Sequence, residues 1–247
     1  MLIERSGLIG AITLNRPGAL NAITIELARS LEHALLELSQ GASVIVIRGA
    51  GGNFSVGGDF NELERLRGEG IDGLRVLFES FSRACGAIAS MPVPVIAAVE
   101  GYAMAGGFEL MQACDLAVVR EDAVLADNHT NFGQIPGGGS SQRLPRLIGR
   151  QRALGLILTG DRITGAQAAS WGLAYRAYSA EEFDARLDEL TTRLAGKSAD
   201  VLARCKRLVY DGLSGSLEDG LRCEIDTVLE HLQSAEAAEG IESFTHR

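Results

Sequence analysis

The feature that most constrains the fold is the stretch of residues 92–115, PVPVIAAVEGYAMAGGFELMQACD. Its apolar run over residues 93–99 predicts a buried strand, because a strand that is covered on both faces needs no polar alternation. A glycine-rich turn over residues 101–107 follows, and a short helix is predicted over residues 108–114. Free backbone N–H groups and the positive end of the helix dipole gather at such a junction. The stretch therefore predicts a strand–turn–helix unit whose turn can bind an anion.

Two interpretations of this junction stay open from the stretch alone. Gly106 and Gly107 carry no Cβ, so a ligand can approach the backbone closely, and Glu109 places a carboxylate beside the free N–H groups. That combination suits stabilisation of a developing oxyanion while a nearby carboxylate moves a proton. The other interpretation is a strand–helix corner in which the glycines serve packing and Glu109 offsets the helix dipole at the surface.

The rest of the chain, up to about residue 175, alternates between predicted strands and predicted helices. Apolar patterns predict strands at residues 9–14, 43–48, 116–119 and 123–126. Helices are predicted at residues 25–38, at 60–89 with a break at 68–70, at 142–158 with an interruption at residue 149, and from a cap at residue 164 to residue 171. Such alternation is typical of an α/β fold with a parallel sheet and covering helices. From residue 180 onward the pattern is helical. We therefore expect one domain, with a core over residues 1–175 and a C-terminal helical region over residues 176–247.

The composition of the chain argues against several classes of protein. The formal net charge of −9 disfavours nucleic acid as a partner, although local basic residues can still meet an anionic substrate. The four cysteines show no CxxC spacing, which argues against a zinc site or a disulfide framework and fits a reducing cytoplasm. No apolar run approaches the roughly 20 residues of a membrane span, and no signal peptide is expected from the first residues. We therefore expect a cytoplasmic protein without a membrane partner.

The sequence contains three glycine-rich turns, at residues 55–59, 105–107 and 135–143, which we call glycine corners. Two of them could each give one N–H to a single oxyanion, an arrangement that recurs in acyl chemistry. None is followed by the GK[ST] of a phosphate-binding loop, none opens the first helix of a βαβ unit as a dinucleotide fingerprint does, and there is no GxSxG elbow.

These corners are part of a longer resemblance. The chain resembles the crotonase family, the enoyl-CoA hydratase/isomerase superfamily, from about residue 3 to its end. The matching segments, in order, are NRP at 15–17 with LNA at 20–22, VIRG at 46–49 running into FSVGGD at 54–59, PVIAAVEGYA at 94–103 running into GGFEL at 106–110, CD at 114–115, GQIPG at 133–137 with QRL at 142–144, TG at 159–160, WGL at 171–173, and EGI at 239–241 with Phe244.

The resemblance implies a spiral of ββα units and a C-terminal helical region used in trimerisation. It also implies a homotrimer or homohexamer, and an acyl-CoA thioester as substrate. By position, the backbone N–H groups of Gly58 and Gly106 would form the oxyanion hole that stabilises a thioester enolate. No metal is implied, and no cofactor apart from the coenzyme A that belongs to the substrate.

Hydratases of this family use two glutamates, and the sequence departs from that pattern. Glu109 matches the first, but the second position, twenty residues later, holds His129. Imidazole can take or give a proton near neutral pH, so His129 could replace the carboxylate; it could equally be a polar loop residue. Asp127, two residues away, is a reserve candidate, which we expect to point elsewhere if the segment is extended.

Contacts to the nucleotide end of coenzyme A are predicted at Arg16, Asn61 and Arg247, whereas Asp59 is expected to cap the helix that follows it. Four functions stay open. The first is an enoyl-CoA hydratase-like enzyme that uses Glu109 and His129. The others are a double-bond isomerase that uses Glu109 alone, a β-dicarbonyl C–C hydrolase in which His129 activates water, and a non-catalytic acyl-CoA binder.

Overall fold

A computed structural model describes residues 1–245 of the chain. Its strands are Leu2–Ser6 (β1), Ile9–Leu14 (β2), Val44–Gly49 (β3), Val95–Val99 (β4), Tyr102–Met104 (β5), Leu116–Arg120 (β6), Val124–Ala126 (β7), Ile163–Thr164 (β8) and Arg176–Tyr178 (β9). Its α-helices are Ile25–Ser39 (α1), Phe60–Gly68 (α2), Ile71–Ser90 (α3), Gly106–Ala113 (α4), Ser140–Ile148 (α5), Arg150–Thr159 (α6), Gly165–Ser170 (α7), Phe183–Ala195 (α8), Ala199–Ser214 (α9), Leu217–Leu232 (α10) and Ala235–Thr245 (α11).

The main sheet has six strands in the order β1-β2-β3-β4-β6-β9. All neighbouring pairs are parallel except β1 with β2, which form an antiparallel hairpin. The predicted parallel sheet is therefore confirmed, and every residue of β4 is buried, as its unbroken apolar run indicates. The sequence patterns missed β1 and β9. Every residue of β1 is exposed, and β9 is three residues long, so neither produces a burial pattern that can be read.

The two faces of the sheet are covered by helices from different parts of the chain. One face packs against α1, α3 and α4 in the larger hydrophobic core. The other face packs against α8, whose Phe183, Leu187 and Leu190 belong to one hydrophobic cluster with residues of the sheet, including Val46 and Ile96. The division at residue 175 stays a prediction. Both β9 and α8 lie after residue 175 but pack with the main sheet. Helix α9 is the first helix after that point that does not cover the sheet.

A second, smaller sheet positions the glycine turn. Its strands lie in the order β5-β7-β8, and the parallel pairing of β5 with β7 sets Met104 opposite Ala126. The N–H of Ala105 continues this ladder to the carbonyl oxygen of Ala126, at 3.0 Å. The start of α4 therefore lies beside the segment that carries Asp127 and His129.

The C-terminal region is attached to the core through a buried ion pair. Lys206 of α9 lies with its Nζ 2.6 Å from Oδ2 of Asp115, and the hydroxyl of Tyr210 donates to Oδ1 of Asp115 at 2.8 Å. The same Nζ donates to the carbonyl oxygens of Ile88 and Val93. Burial raises the pKa of Asp115 and lowers that of Lys206, and the attraction between the two charges opposes both shifts. Among residues 1–245, no helix combines the length and hydrophobicity that a membrane span requires.

Candidate active site

Two glycine corners meet at the centre of the site. Gly57 has φ +94°, and a Cβ there would lie 2.7 Å from Cβ of Ala105 and 2.8 Å from N of Gly106, so only glycine fits at this position. The corner is held by Ile23, whose N–H donates to Gly57 O at 2.7 Å and whose carbonyl accepts from Asp59 N at 3.0 Å.

The corners present two unpaired donors. Within residues 1–245, neither the N–H of Gly58 nor that of Gly106 has a hydrogen-bond acceptor, and both residues line the same cavity. Ala105, which precedes Gly106, has φ 47° and ψ −118°, a strained conformation for a residue with a side chain. Helix α4 therefore starts directly after β5, and its first N–H group stays free beside the cavity.

Glu109 is held firmly by one oxygen and leaves the other free. The residue is 2% exposed, and its Oε1 accepts from the N–H groups of Gly138 at 2.7 Å and Ser140 at 3.0 Å. Its Oε2 lies 3.7 Å from Nε2 of His129. Burial raises the pKa of Glu109, and the two N–H donors and the nearby imidazole oppose that rise. The interpretation of Glu109 as a surface residue is therefore wrong.

His129 is supported from behind by a carboxylate. Its Nδ1 donates to Oδ1 of Asp127 at 2.6 Å. Burial alone would lower the pKa of His129, but the hydrogen bond to Asp127 and the negative charges of Glu109 and Asp127 outweigh it, so the pKa is raised. Asp127 is fully buried, and its Oδ2 has no hydrogen-bond partner among the described residues.

Asp127 therefore contacts His129 and does not point elsewhere, because the expectation that it would do so required an extended segment. The segment is not extended: Asn128 has φ −101° and ψ 19°, and a 3₁₀ turn spans His129–Phe132. This turn folds the chain back, so the side chains two residues apart meet. Sequence spacing carries no signal for such a contact, because it depends on the dihedral angles of one residue.

A cavity of about 80 Å³ opens onto these groups. Its polar lining includes the N–H corners, Glu109 and His129, and its apolar lining includes Leu77, Phe78 and Phe81 of α3. Phe60 and Phe132, whose ring centroids lie 5.6 Å apart, line both this cavity and a second one beside it. The site is therefore a groove with an apolar end near α3 and an open end on the other side of the two phenyl rings.

The residues predicted to contact coenzyme A are distributed unevenly around the groove. Asn61 lines the second cavity, together with Arg162, for which sequence reasoning had no signal. The guanidinium of Arg16 donates instead to Asp59, at 2.9 Å, and to the carbonyl oxygen of Ala22.

Asp59 also caps α2, as expected, by accepting from the N–H groups of Asn61 and Glu62. Arg247 lies outside the described residues. Within residues 1–245, no group of three or more His, Cys, Asp or Glu side chains is arranged to hold a metal ion.

The family follows from comparison with known proteins. The model of the enoyl-CoA hydratase/isomerase family matches residues 4–247. The chain therefore belongs to this family, as its motifs predict. A probable enoyl-CoA hydratase of Bacillus subtilis is 36% identical over 212 residues, which cover 85% of this chain and 81% of that protein. A probable enoyl-CoA hydratase of Mycobacterium bovis is 32% identical over 249 residues, which cover 100% of this chain and 95% of that protein.

The predicted fold class is also confirmed. The crystal structure of an enoyl-CoA hydratase from Polaromonas sp. JS666 superposes with a TM-score of 0.95 at 30% identity, over 99% of this chain and 96% of that one. An enoyl-CoA hydratase from Bacillus anthracis superposes with a TM-score of 0.92 at 28% identity, over 99% of this chain and 95% of that one. The α/β architecture is therefore that of the crotonase fold.

Proposed function

We propose that the protein is an enzyme that binds an acyl-CoA thioester with its carbonyl oxygen between the N–H groups of Gly58 and Gly106. Two unpaired donors on adjacent corners suit an oxygen that gains negative charge when a thioester becomes an enolate. The apolar end of the groove, at Leu77 and Phe81, suits an acyl chain. No metal or redox cofactor takes part in this proposal.

The reaction we propose is hydration of a 2-enoyl thioester, and the separation of 3.7 Å between Oε2 of Glu109 and Nε2 of His129 carries that proposal. A water molecule hydrogen-bonds at about 2.8 Å, so one water on the cavity side can contact both atoms. Neutral His129 removes a proton from this water, whose oxygen bonds to the β-carbon. Electrons of the double bond move to the thioester enolate, and protonated Glu109 delivers a proton to the α-carbon.

The same pair can return to its starting state without another group. After hydration His129 carries the proton from water and Glu109 is ionised. A proton that passes from Nε2 to Oε2 restores both groups. Asp127 supports each step, because its hydrogen bond to Nδ1 keeps the lone pair on Nε2 in the neutral form and stabilises the imidazolium.

The Asp127–His129 contact also favours a second candidate, hydrolysis of the C–C bond of a β-ketoacyl thioester. Here the activated water adds to the β-carbonyl carbon, the bond from that carbon to the α-carbon breaks, and the electron pair becomes the thioester enolate. Glu109 then protonates the α-carbon. Both candidates share the enolate and differ in the carbon that water attacks.

Mass spectrometry of products separates these candidates. Incubation with a short 2-enoyl-CoA should add the mass of water, whereas cleavage of a β-ketoacyl-CoA should give two shorter acids, one still on coenzyme A. A 3-enoyl-CoA, followed by chromatography, tests double-bond isomerisation by Glu109 alone. Binding of all three without conversion would leave a non-catalytic acyl-CoA binder and refute the proposal.

For the nucleotide end of coenzyme A we propose Asn61 and Arg162, which line the open end of the groove. Arg16 was our sequence-based candidate, but its contacts to Asp59 and Ala22 favour a structural role. Arg162→Gln should therefore weaken binding of free coenzyme A in calorimetry more than Arg16→Gln does in protein that remains folded. Equal losses in the two variants would refute this assignment.

We also propose a cytoplasmic homotrimer or homohexamer that assembles through the C-terminal helices. Within residues 1–245, helices α9 and α10 contain no fully buried residue, and the Lys206 and Tyr210 side chains of α9 reach the core at Asp115. Their apolar side chains, exposed by 46 to 78%, include Val209, Leu213, Leu217, Leu221, Ile225, Val228, Leu229 and Leu232. Faces of this kind mark protein–protein contacts. Light scattering should give three or six times the chain mass, and a monomer at all concentrations would contradict the proposal.

A further inference from the structure

The carboxylate of Glu109 is oriented by a single turn, residues 138–140. The N–H groups at its two ends, from Gly138 and Ser140, both donate to Oε1. The middle residue, Gly139, has φ +116°, which residues with side chains rarely adopt. The position of Oε2, the oxygen that faces His129, therefore depends on the shape of this turn.

Arg143 folds back onto the turn from the first part of α5. Its Nη1 donates to the carbonyl oxygen of Gly138 at 2.7 Å. The guanidinium also lies over Gly139, where a Cβ would be 2.1 Å from Nη1. The peptide groups around Gly138 are thus held on both sides, with the N–H bonded to Glu109 and the carbonyl bonded to Arg143.

Arg143 is unusual among the arginines within residues 1–245, because it is both half-buried and without an ion-pair partner. The side chain is half-buried, and among residues 1–245 no carboxylate lies within ion-pair distance of it. Arg146, one turn further along the same helix, is exposed and donates to the carbonyl oxygen of Gln142 at 2.6 Å. The two residues therefore make the same kind of bond to a backbone carbonyl, but only Arg143 makes it at the turn that holds Glu109.

We propose that Arg143 is a positioning residue for Glu109: it fixes the 138–140 turn, and through it the direction of the carboxylate oxygen that exchanges protons. The catalytic part of this inference rests on the proposed function, whereas the effect on the carboxylate itself does not. Without the guanidinium the turn gains freedom, the two N–H donors no longer hold Oε1 in place, and Oε2 loses its fixed distance to His129.

The decisive experiment compares Arg143→Gln with Arg146→Gln as a matched control. Titration of the Glu109 carboxyl is followed by ¹³C NMR of protein labelled at glutamate, and the signal is assigned by its loss in Glu109→Gln. The N–H donors oppose the rise in the pKa of Glu109 that burial causes. Arg143→Gln should therefore move the midpoint to higher pH, Arg143→Lys should move it less, and Arg146→Gln should leave it unchanged.

Kinetics provide the second measurement. Misplacement of a reacting group by about 1 Å can cost roughly a hundredfold in rate. We expect kcat for hydration to fall between about tenfold and a hundredfold in Arg143→Gln, with KM nearly unchanged, because the turn orients the acid and does not bind the thioester. Arg143→Lys should recover part of kcat through its single donor.

The outcomes are separable. A folded Arg143→Gln protein with the wild-type midpoint overturns the inference, even if its melting temperature falls, because a merely structural role would lower stability alone. If Arg143→Gln does not fold, the Arg143→Lys variant provides the test. A titration midpoint of Glu109 equal to that of the wild-type protein overturns the inference, and a higher midpoint supports it. If the wild-type protein turns over no thioester, the proposed function fails, and the NMR titration still tests the role of Arg143.

Discussion

Two buried clusters in this molecule contain similar groups but differ in how completely their hydrogen-bonding atoms are paired. The relay cluster consists of Asp127, His129 and Glu109, and the anchor cluster consists of Asp115, Lys206 and Tyr210. Each joins a carboxylate to a basic group inside the protein, where unpaired charge is costly.

The anchor cluster is fully paired. Both oxygens of Asp115 accept hydrogen bonds, from Lys206, Tyr210 and the N–H of Val95. The three protons of the Lys206 ammonium match three acceptors, which are Asp115 and two carbonyl oxygens. Such completeness fixes a helix to a core and leaves no group free to react.

The relay cluster is left incomplete. Oε2 of Glu109 faces Nε2 of His129 across 3.7 Å, too far for a hydrogen bond, and Oδ2 of Asp127 has no partner within the described part of the chain. The N–H groups of Gly58 and Gly106 beside it are also unpaired within that part. Burial is common to both clusters, so the unused hydrogen-bonding capacity is what distinguishes a candidate reactive site from a structural one.

The largest effect on activity is expected for Glu109→Gln. Gln keeps an acceptor for the N–H groups of Gly138 and Ser140 but cannot transfer the proton. Turnover should fall by about 10²- to 10⁴-fold, as losses of a general acid or base do. Chemical denaturation should show no loss of stability, because an acid whose pKa is raised by burial is itself a destabilising group. Full turnover in a folded variant would remove Glu109 from the reaction.

Asp115→Asn should show the opposite pattern. It leaves the buried ammonium of Lys206 without a counter-charge, which typically costs about 3–5 kcal/mol in the free energy of unfolding. The rate constant per folded molecule should not change. Asp122→Asn is the control, since Asp122 pairs with Arg120 at the surface with 65% of its side chain exposed, and exposed pairs contribute at most about 1 kcal/mol. Equal losses in the two variants would contradict the comparison.

The unpaired donors can be tested at Gly58, where one substitution removes the N–H and a matched one keeps it. Gly58→Pro lacks the donor, and we expect kcat to fall by about 10²- to 10³-fold, the usual cost of one oxyanion donor. Gly58→Ala keeps the N–H and places its Cβ 3.1 Å from Cδ1 at the end of the Leu63 side chain, which can shift by rotation about its χ angles. It should therefore retain most activity. Similar rates for folded Pro and Ala variants would place the oxyanion elsewhere.

His129→Ala should have the smallest of these effects, and it separates hydration from isomerisation. The rate of hydration should fall by about a hundredfold, which is at the lower end of the loss expected for a general acid or base. Isomerisation by Glu109 alone should persist. Neutral His129 is the base, so the hydration rate should drop as pH falls through its pKa, and that acid limb should lie above pH 6.5 because the pKa is raised. The variant should lack this limb. An unchanged rate and profile would leave His129 without a role in hydration.

The sequence predicted much of the scaffold because the relevant signals are local. The apolar run before the central glycine turn became β4, and Asp59 caps α2 as expected by accepting from the N–H groups of Asn61 and Glu62. Glu109 and His129, the two residues that the resemblance singles out, line one cavity.

What could not be predicted depends on distant or irregular geometry. Lys206 and Asp115 are 91 residues apart, and no periodicity links them. The contact of Asp127 with His129 needs a particular backbone turn at Asn128, and Arg162 reaches the groove through the fold alone. The types of side chain in the sequence indicate candidate functional residues, but which of them contact one another depends on the three-dimensional structure.

The backbone origin of the two free donors has a consequence for how such a protein can change over time. Every residue except proline carries an N–H, so under the proposed function both donors remain when side chains around them are substituted, provided that Gly57 stays glycine. The proposed acid–base residues can then be exchanged one at a time; His129 already occupies the position at which the family resemblance implies a second glutamate. A variant that keeps Gly57 and the strained turn at Ala105 should therefore keep the proposed thioester-binding donors even when its acid–base residues are changed.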